Sequence, residues 1–184
     1  MDSDDRLPDN TSLEVLVRRA EEENADLVFA GYRQVVGEIA MPHGLIKENK
    51  AMDRAAFMDW MHFRANSFFV GALWNKLFRT DLIQKRCVRF TDGLTYGEDF
   101  LFVMHYMPEV HRVAFTDAVV YDYVRHTDSM TFKQAKDCVR HPVKNTRVKQ
   151  KLYHGLCDAY RSMDLYEQYK SWLWLYLFRV TLSE

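Results

Sequence analysis

Asp26-Leu27-Val28-Phe29-Ala30-Gly31-Tyr32 decides how the chain folds. It is a short, mostly apolar run bounded by turn residues, which predicts a buried strand. Just upstream, Pro8-Asp9-Asn10-Thr11-Ser12-Leu13-Glu14 predicts a helix start, with Thr11 and Glu14 at capping-box spacing. Leu13, Leu16, Val17 and Ala20 then mark one buried face, and Asn24 suits a left-handed terminator. Helix followed by buried strand is the rhythm of an α/β layer, so the predicted class is α/β.

Downstream, Gly37, Pro42 and Gly44 predict a turn with a hairpin or loop over residues 35 to 50. A helix is expected from about Asp53, with Phe57, Trp60, Met61 and Arg64 on one side. Thr80 can cap a short helix through Ile83 and Lys85, and Val88-Arg89-Phe90 reads as a brief strand. Gly97 leads into an apolar segment in which Phe100, Val103, Met104 and Met107 keep helical spacing before Pro108. A helix should therefore run from close to Glu98 to near Met107. Residues 111 to 123 are rich in β-branched and aromatic side chains, which predicts two short strands bent at Thr116 and Asp117. Residues 125 to 131 read as polar loop, and helices are expected from Phe132 onward. In the last helix Leu165, Tyr169, Trp172, Leu173, Tyr176, Leu177 and Val180 form an apolar face, while Trp174, Leu175 and Phe178 fill much of the remainder. That pattern fits core packing, or docking on a second subunit or a membrane surface.

The size, 184 residues, suits one domain with a real core, and 48% hydrophobic with 28% charged residues describes a globular protein. A net charge of -1 argues against a nucleic-acid binder, although residues 133 to 151 are basic and the first twenty-odd residues acidic. Cys87, Cys138 and Cys157 are odd in number and widely spaced, which suits a reducing, cytoplasmic setting. No signal-peptide pattern follows Met1, and nothing is long and apolar enough to span a membrane.

Three groups carry chemistry. Glu98 and Asp99 fall on a first helical turn, where acids are favoured by unpaired N–H groups, and they read either as structural or as a general base with its neighbour. Asp2-Ser3-Asp4-Asp5 reads as a charged terminus or as ligands for a hard divalent cation. Trp74-Asn75-Lys76 reads as a core aromatic beside a solvated lysine, or as the wall of a sugar or phosphate pocket. His105 and His126 have no evident partner in sequence and read as ordinary.

The ordered set formed by Asp2-Ser3-Asp4-Asp5, Pro8 with its capped helix, Ala25-Asp26-Leu27-Val28 with Gly31-Tyr32, Trp74-Asn75-Lys76-Leu77-Phe78, Tyr96-Gly97-Glu98-Asp99, and Tyr121-Asp122-Tyr123 followed by Ser129-Met130-Thr131 resembles family 2 glycosyltransferases of the GT-A fold. The bacterial members that build surface polysaccharides are the nearest pattern. The resemblance covers residues 1 to 132 and implies a partial GT-A, Rossmann-like sheet there, with residues 133 to 184 as a helical C-terminal extension. It implies inverting transfer of a sugar from a nucleotide-sugar donor to a glycan or lipid-linked glycan acceptor. Asp99 would be the general base, supported by Glu98. Asp2 and Asp4 would match the D-x-D motif that holds Mg2+ or Mn2+, with Asp5 beside them, and Trp74, Asn75 and Lys76 would line the acceptor or diphosphate wall.

In the family a nucleotide-binding half precedes the D-x-D motif, and Met1 stands almost where that half should end. The expectation is therefore an acceptor-side half with impaired activity, and an exposed sheet edge that self-association would cover. The other reading is a non-catalytic module that docks on a partner or on the inner face of the membrane through its last helix and the basic stretch before it.

Overall fold

In a computed structural model of the chain, residues 5–44, 51–64, 68–125 and 142–182 are described. The helices are α1 (Ser12–Glu23), α2 (Arg54–Arg64), α3 (Phe68–Gly71), α4 (Thr80–Lys85), α5 (Glu98–Tyr106), α6 (Pro142–Arg161) and α7 (Tyr166–Leu182). The strands are β1 (Leu27–Val36), β2 (Ile39–His43), β3 (Met52–Asp53), β4 (Lys76–Phe78) and β5 (Arg112–Val124). They form one sheet in the order β2-β1-β5-β3, and β4 also pairs with β1. The α/β class and the flanking helices are as the sequence predicted.

The predicted buried strand is the middle of this sheet. Leu27, Val28, Phe29 and Ala30 are fully buried, because β1 runs parallel to β5 and both faces of the pair are covered. A strand buried on both faces reads as a continuous apolar run rather than an alternating one. The Phe29 ring sits 5.3 Å from Phe57 and 5.5 Å from both Phe69 and Phe115, so β1, β5, α2 and α3 share one aromatic core. Burying each such side chain contributes roughly 1.5–3 kcal/mol.

Several local expectations are corrected. Residues 112 to 124 form one strand, not two. The bend expected at Thr116 and Asp117 appears as a register irregularity: Phe29 faces Phe115, whereas Gly31 faces Val119. The extra residues are accommodated by a turn-like bond from the Ala118 N–H to the Thr116 hydroxyl, at 3.2 Å. Val88-Arg89-Phe90 is not a strand. Its Val88 N–H bonds the Ile83 carbonyl at 3.0 Å and its Phe90 ring stacks on Phe102, so side-chain packing takes the place of a ladder. Thr11 makes no side-chain cap to α1. Asp9 instead accepts the Thr11 N–H and hydroxyl at 2.7 and 2.6 Å, and those bonds lower its proton affinity. Leu16 is buried, but Leu13 and Val17 face solvent; the face that α1 applies to the sheet is narrower than its apolar stripe. Asn24 does close α1 in the left-handed conformation, with φ 47° and ψ 49°.

The C-terminal helices share the core with the sheet. Leu152, Leu156, Tyr160 and Leu173 belong to the same buried cluster as β1 and β5. α6 packs on α5 and on α7. Trp174 and Leu175 stay exposed, while Trp172, Tyr169 and Tyr176 pack against the core. The side chains of Arg64, Leu177, Phe178 and Val180 lie outside the described residues, as do Cys138 and His126.

A clamp joins α2 to the end of the chain around His62. Its Nδ1–H donates to the Met58 carbonyl, and its Nε2 accepts the Tyr160 hydroxyl at 3.0 Å. Tyr169 stacks flat on the ring at 3.7 Å, and the Trp172 indole N–H donates to the His62 carbonyl at 3.3 Å. Burial pushes the His62 imidazole down to about 4, because charging it would place a cation among rings. The folded value lies below the unfolded one, so this stability is complete above about pH 6.5. It is lost as pH falls toward 4. Urea unfolding at pH 7.5 and pH 4.5 should show an acid loss that is about 1–2 kcal/mol smaller in His62→Gln. An equal acid loss in the two proteins would remove His62 as its source.

Candidate active site

The site is built on the start of α5. Gly97 carries the chain into the helix at φ 73° and ψ 9°, a left-handed conformation that glycine adopts without strain. A Cβ at Gly97 would also stand 2.7 Å from Leu152 Cδ2, so α6 presses against this turn. Gly97→Ala is therefore expected to cost about 1–3 kcal/mol in urea unfolding, from backbone strain and crowding together. An unchanged midpoint would mean that the turn relaxes freely. Glu98 and Asp99 follow, half-buried on the first turn of the helix, where the unpaired N–H groups and the helix dipole favour carboxylates.

Trp74 and Asn75 lie between α3 and β4 and Lys76 begins β4; of the three only Trp74 meets the surface. Asn75 is fully buried; its Nδ2 donates to the carbonyls of Phe69 and Ala30 at 3.2 and 3.4 Å. Lys76 is not solvated, which corrects the simpler sequence reading. Its Nζ donates to the Phe69 carbonyl at 2.9 Å, to Asn75 Oδ1 at 2.7 Å and to the Ala72 carbonyl, and it sits 4.5 Å from the centre of the Phe29 ring. Burial pushes its ammonium well below the ordinary lysine value, and the charge of Asp99 acts in the opposite direction. Asn75 and Lys76 thus fasten this segment to β1 and to the end of α3 from within the core.

Trp74 is half-buried. Its indole stacks on Tyr121 at 4.6 Å and on Tyr123 at 5.6 Å, and meets Tyr32 edge-on at 4.8 Å. Tyr121 continues into the acidic segment, since its hydroxyl donates to Asp5 Oδ2 at 2.8 Å while the Val124 N–H donates to Oδ1 at 2.8 Å. Asp5 is buried and anchors the N-terminal segment to β5. Hard carboxylate oxygens suit Mg2+ or Mn2+, but both oxygens of Asp5 already receive protein N–H or O–H groups. Asp2 and Asp4 lie outside the described residues. Among the described residues no three His, Cys, Asp or Glu side chains converge on one point.

Sequence reasoning missed the group on the other face of β5. Asp122 accepts from Arg33 Nε at 2.6 Å and Nη2 at 2.8 Å, and from Arg6 Nε at 3.1 Å. These bonds, the Arg33 pair first, hold its carboxyl below the usual range. Alternation in Tyr121-Asp122-Tyr123 was the available signal: it puts the two tyrosines on one face and the acid on the other. Nothing in the sequence pointed to Arg33 as the partner.

The chain is 30% identical over 138 residues to the cholesterol galactosyltransferase of Borreliella burgdorferi, a match that covers 71% of this chain and 38% of that protein. It is 24% identical over 165 residues to the uncharacterized glycosyltransferase EpsJ of Bacillus subtilis, covering 86% of this chain and 47% of EpsJ. Among solved structures, residues 1–349 of S. aureus TarS superpose on 93% of this chain with a TM-score of 0.56 and 17% identity. The chain carries part of the GT-A glycosyltransferase fold. It spans less than half the length of these relatives, 38% and 47% of the two sequences and 46% of the TarS chain. No protein-family model matches it. TarS has been solved with UDP and with UDP-GlcNAc, and the latter superposes on 88% of this chain with a TM-score of 0.52 and 19% identity.

On this glycosyltransferase fold the sequence-predicted residues fall into two groups. Glu98 and Asp99 stand on the first turn of α5, and Trp74 is joined through Tyr121 to Asp5. No helix among the described residues is long and apolar enough to cross a membrane.

Proposed function

We propose that the protein takes part in inverting, metal-dependent transfer of a sugar from a nucleotide-sugar donor to a glycan or lipid-linked acceptor. The observation that carries this reading is the acidic first turn of α5 in a fold shared with glycosyltransferases. Asp99 takes the proton from the acceptor hydroxyl as that oxygen attacks the anomeric carbon, and Glu98 supports it. The stacked face of Trp74 with Tyr121 and Tyr123 suits the apolar face of a sugar ring. Asp2 and Asp4 would hold Mg2+ or Mn2+, which supplies Lewis-acid stabilisation of the departing diphosphate. Asp5 fastens that segment to β5.

Calorimetric titration of the 184-residue chain with UDP and UDP-sugars, with and without Mn2+, tests the donor half of the reading. Metal-dependent heat that disappears in Asp2→Asn with Asp4→Asn supports it. No binding of any nucleoside diphosphate by a folded chain overturns it for this polypeptide. A second reading, a docking module, draws on the exposed Trp174 and Leu175 of α7. It requires that the chain sediment with anionic lipid vesicles, and that Trp174→Ser with Leu175→Ser abolish this.

A further inference from the structure

One buried carboxylate holds two guanidinium groups, and only one of them is needed to balance it. The Asp122 side chain is 1% exposed. Arg33 grips it with Nε to Oδ1 at 2.6 Å and Nη2 to Oδ2 at 2.8 Å, the bidentate geometry that satisfies a carboxylate. Arg6 adds a bond from its Nε to the same Oδ2 at 3.1 Å. Because both arginines bond one oxygen, their donor nitrogens stand side by side, although like charges so placed repel. The group therefore carries one positive charge more than it needs, fixed by an acid that solvent scarcely reaches.

The backbone holds Arg6 as well. Its N–H donates to the Asp122 carbonyl at 3.4 Å, and its own carbonyl accepts the Asp122 N–H at 2.9 Å. Asp5 beside it is bonded on the Tyr121 side of β5, so these two residues place one side chain on each face of the strand. Beyond Nε, the two Nη nitrogens of Arg6 make no hydrogen bond among the described residues, and the side chain is 67% exposed. The group also sits at the carboxyl ends of the parallel pair: Arg33 faces Asp122 in register, and the exposed Arg125 follows β5. Ligands of open α/β sheets collect outside such strand ends. Asp9, ahead of α1, is the other acid whose charge acts on Arg33, and it already accepts the Thr11 N–H and hydroxyl.

We infer that Arg6, aligned beside Arg33 by Asp122, is a diphosphate-binding residue. Fixed guanidinium forks with unused N–H groups match the oxygens of a phosphate. Arg6 also follows Asp4 by two residues in sequence, on the segment proposed to serve the departing diphosphate. The inference deepens the proposed function and takes the chemistry of its ligand from that reading. A diphosphate is common to a nucleotide-sugar donor and to a polyprenol-linked acceptor. Asp122 itself touches no ligand; it positions the pair.

The test is calorimetric titration of the full chain with inorganic pyrophosphate in EDTA, so that no metal site contributes. Wild type should bind, with an affinity that falls as salt is added, and Arg6→Gln should bind about tenfold more weakly. The variant should fold as wild type does, since Arg33 keeps both its bonds to Asp122. Arg18→Gln removes the same charge from an exposed position on α1 and should leave the affinity unchanged. No binding by wild type, equal binding by wild type and Arg6→Gln, or an equal loss in Arg18→Gln overturns the inference. UDP and an isoprenyl diphosphate, titrated in the same way, separate the two sources: the tighter of them in wild type supplies the diphosphate. The two ideas fail separately. Metal-dependent UDP binding, with pyrophosphate binding equal in wild type and Arg6→Gln, would end only the role of Arg6. Pyrophosphate binding that is lost in Arg6→Gln, from a chain that shows no metal-dependent binding of UDP, would end the donor reading and keep the anion site.

Discussion

Asp99→Asn is expected to lower sugar transfer about 10²- to 10⁴-fold, the usual contribution of a positioned general base, while the urea midpoint changes little. The amide keeps the shape of the carboxylate and can still accept from first-turn N–H groups, so the fold loses only the charge–dipole part, about 0.3–1 kcal/mol. Asparagine cannot take the acceptor proton. Glu98→Gln should have the smaller effect on transfer, since Glu98 supports and does not itself receive that proton. Donor binding by calorimetry should be unchanged in Asp99→Asn, because the proposed donor groups are Asp2 and Asp4. Comparable transfer by wild type and Asp99→Asn, at equal donor affinity, would remove Asp99 from the chemistry.

Asp26→Ala is expected to produce the largest loss of stability of any single change considered, about 2–4 kcal/mol. The Asp26 carboxylate is buried at the head of β1 and accepts the His111 and Arg112 backbone N–H groups at 2.8 and 3.2 Å and Arg79 Nη1 at 3.3 Å. Its own carbonyl accepts the Tyr106 hydroxyl at 2.6 Å and the Arg79 N–H at 3.1 Å. One residue thus ties together the entry of β1, the entry of β5, the exit of β4 and the end of α5. Alanine would leave two part-buried backbone donors without their acceptor at the point where the parallel pair begins, and a donor shielded from water without a partner costs more than a bond contributes. For a domain of this size the urea midpoint should fall by roughly 1–3 M. Asp26→Asn should lie in between, because the amide oxygen can still accept both N–H groups, which share Oδ2 of the carboxylate, while Arg79 Nη1 loses its acceptor. A midpoint within about 0.3 M of wild type would show that the strand entries are held by packing alone.

The Asp122 group illustrates a different balance. Arg6 is largely exposed while the Asp122 carboxylate is not, so the two ends of that ion pair differ in worth. Loss of the exposed arginine leaves Arg33 still bidentate on the acid. Loss of Asp122 would leave both guanidinium groups, each partly exposed, without their carboxylate.

What the sequence determined by itself was local. The apolar run at Leu27 to Ala30 had to be a buried strand, Asn24 had the chemistry to end α1 left-handed, and Gly97 followed by Glu98 and Asp99 had the chemistry to begin α5. Each depends on neighbours within a turn or two, through periodicity, dihedral preference and the helix dipole. The ordered motifs also carried the family resemblance, which the relatives and the fold support. The tertiary structure decided what those side chains do. Lys76 reads as a solvated cation until α3 and Phe29 close over it. Asp122 finds Arg33, 89 residues away, only because β1 and β5 lie side by side in parallel. Tyr160 and Tyr169 meet His62 only when the end of the chain returns to α2. Burial and charge pairing depend on which distant segments become neighbours, and a pattern with a period of two to four residues holds no record of that.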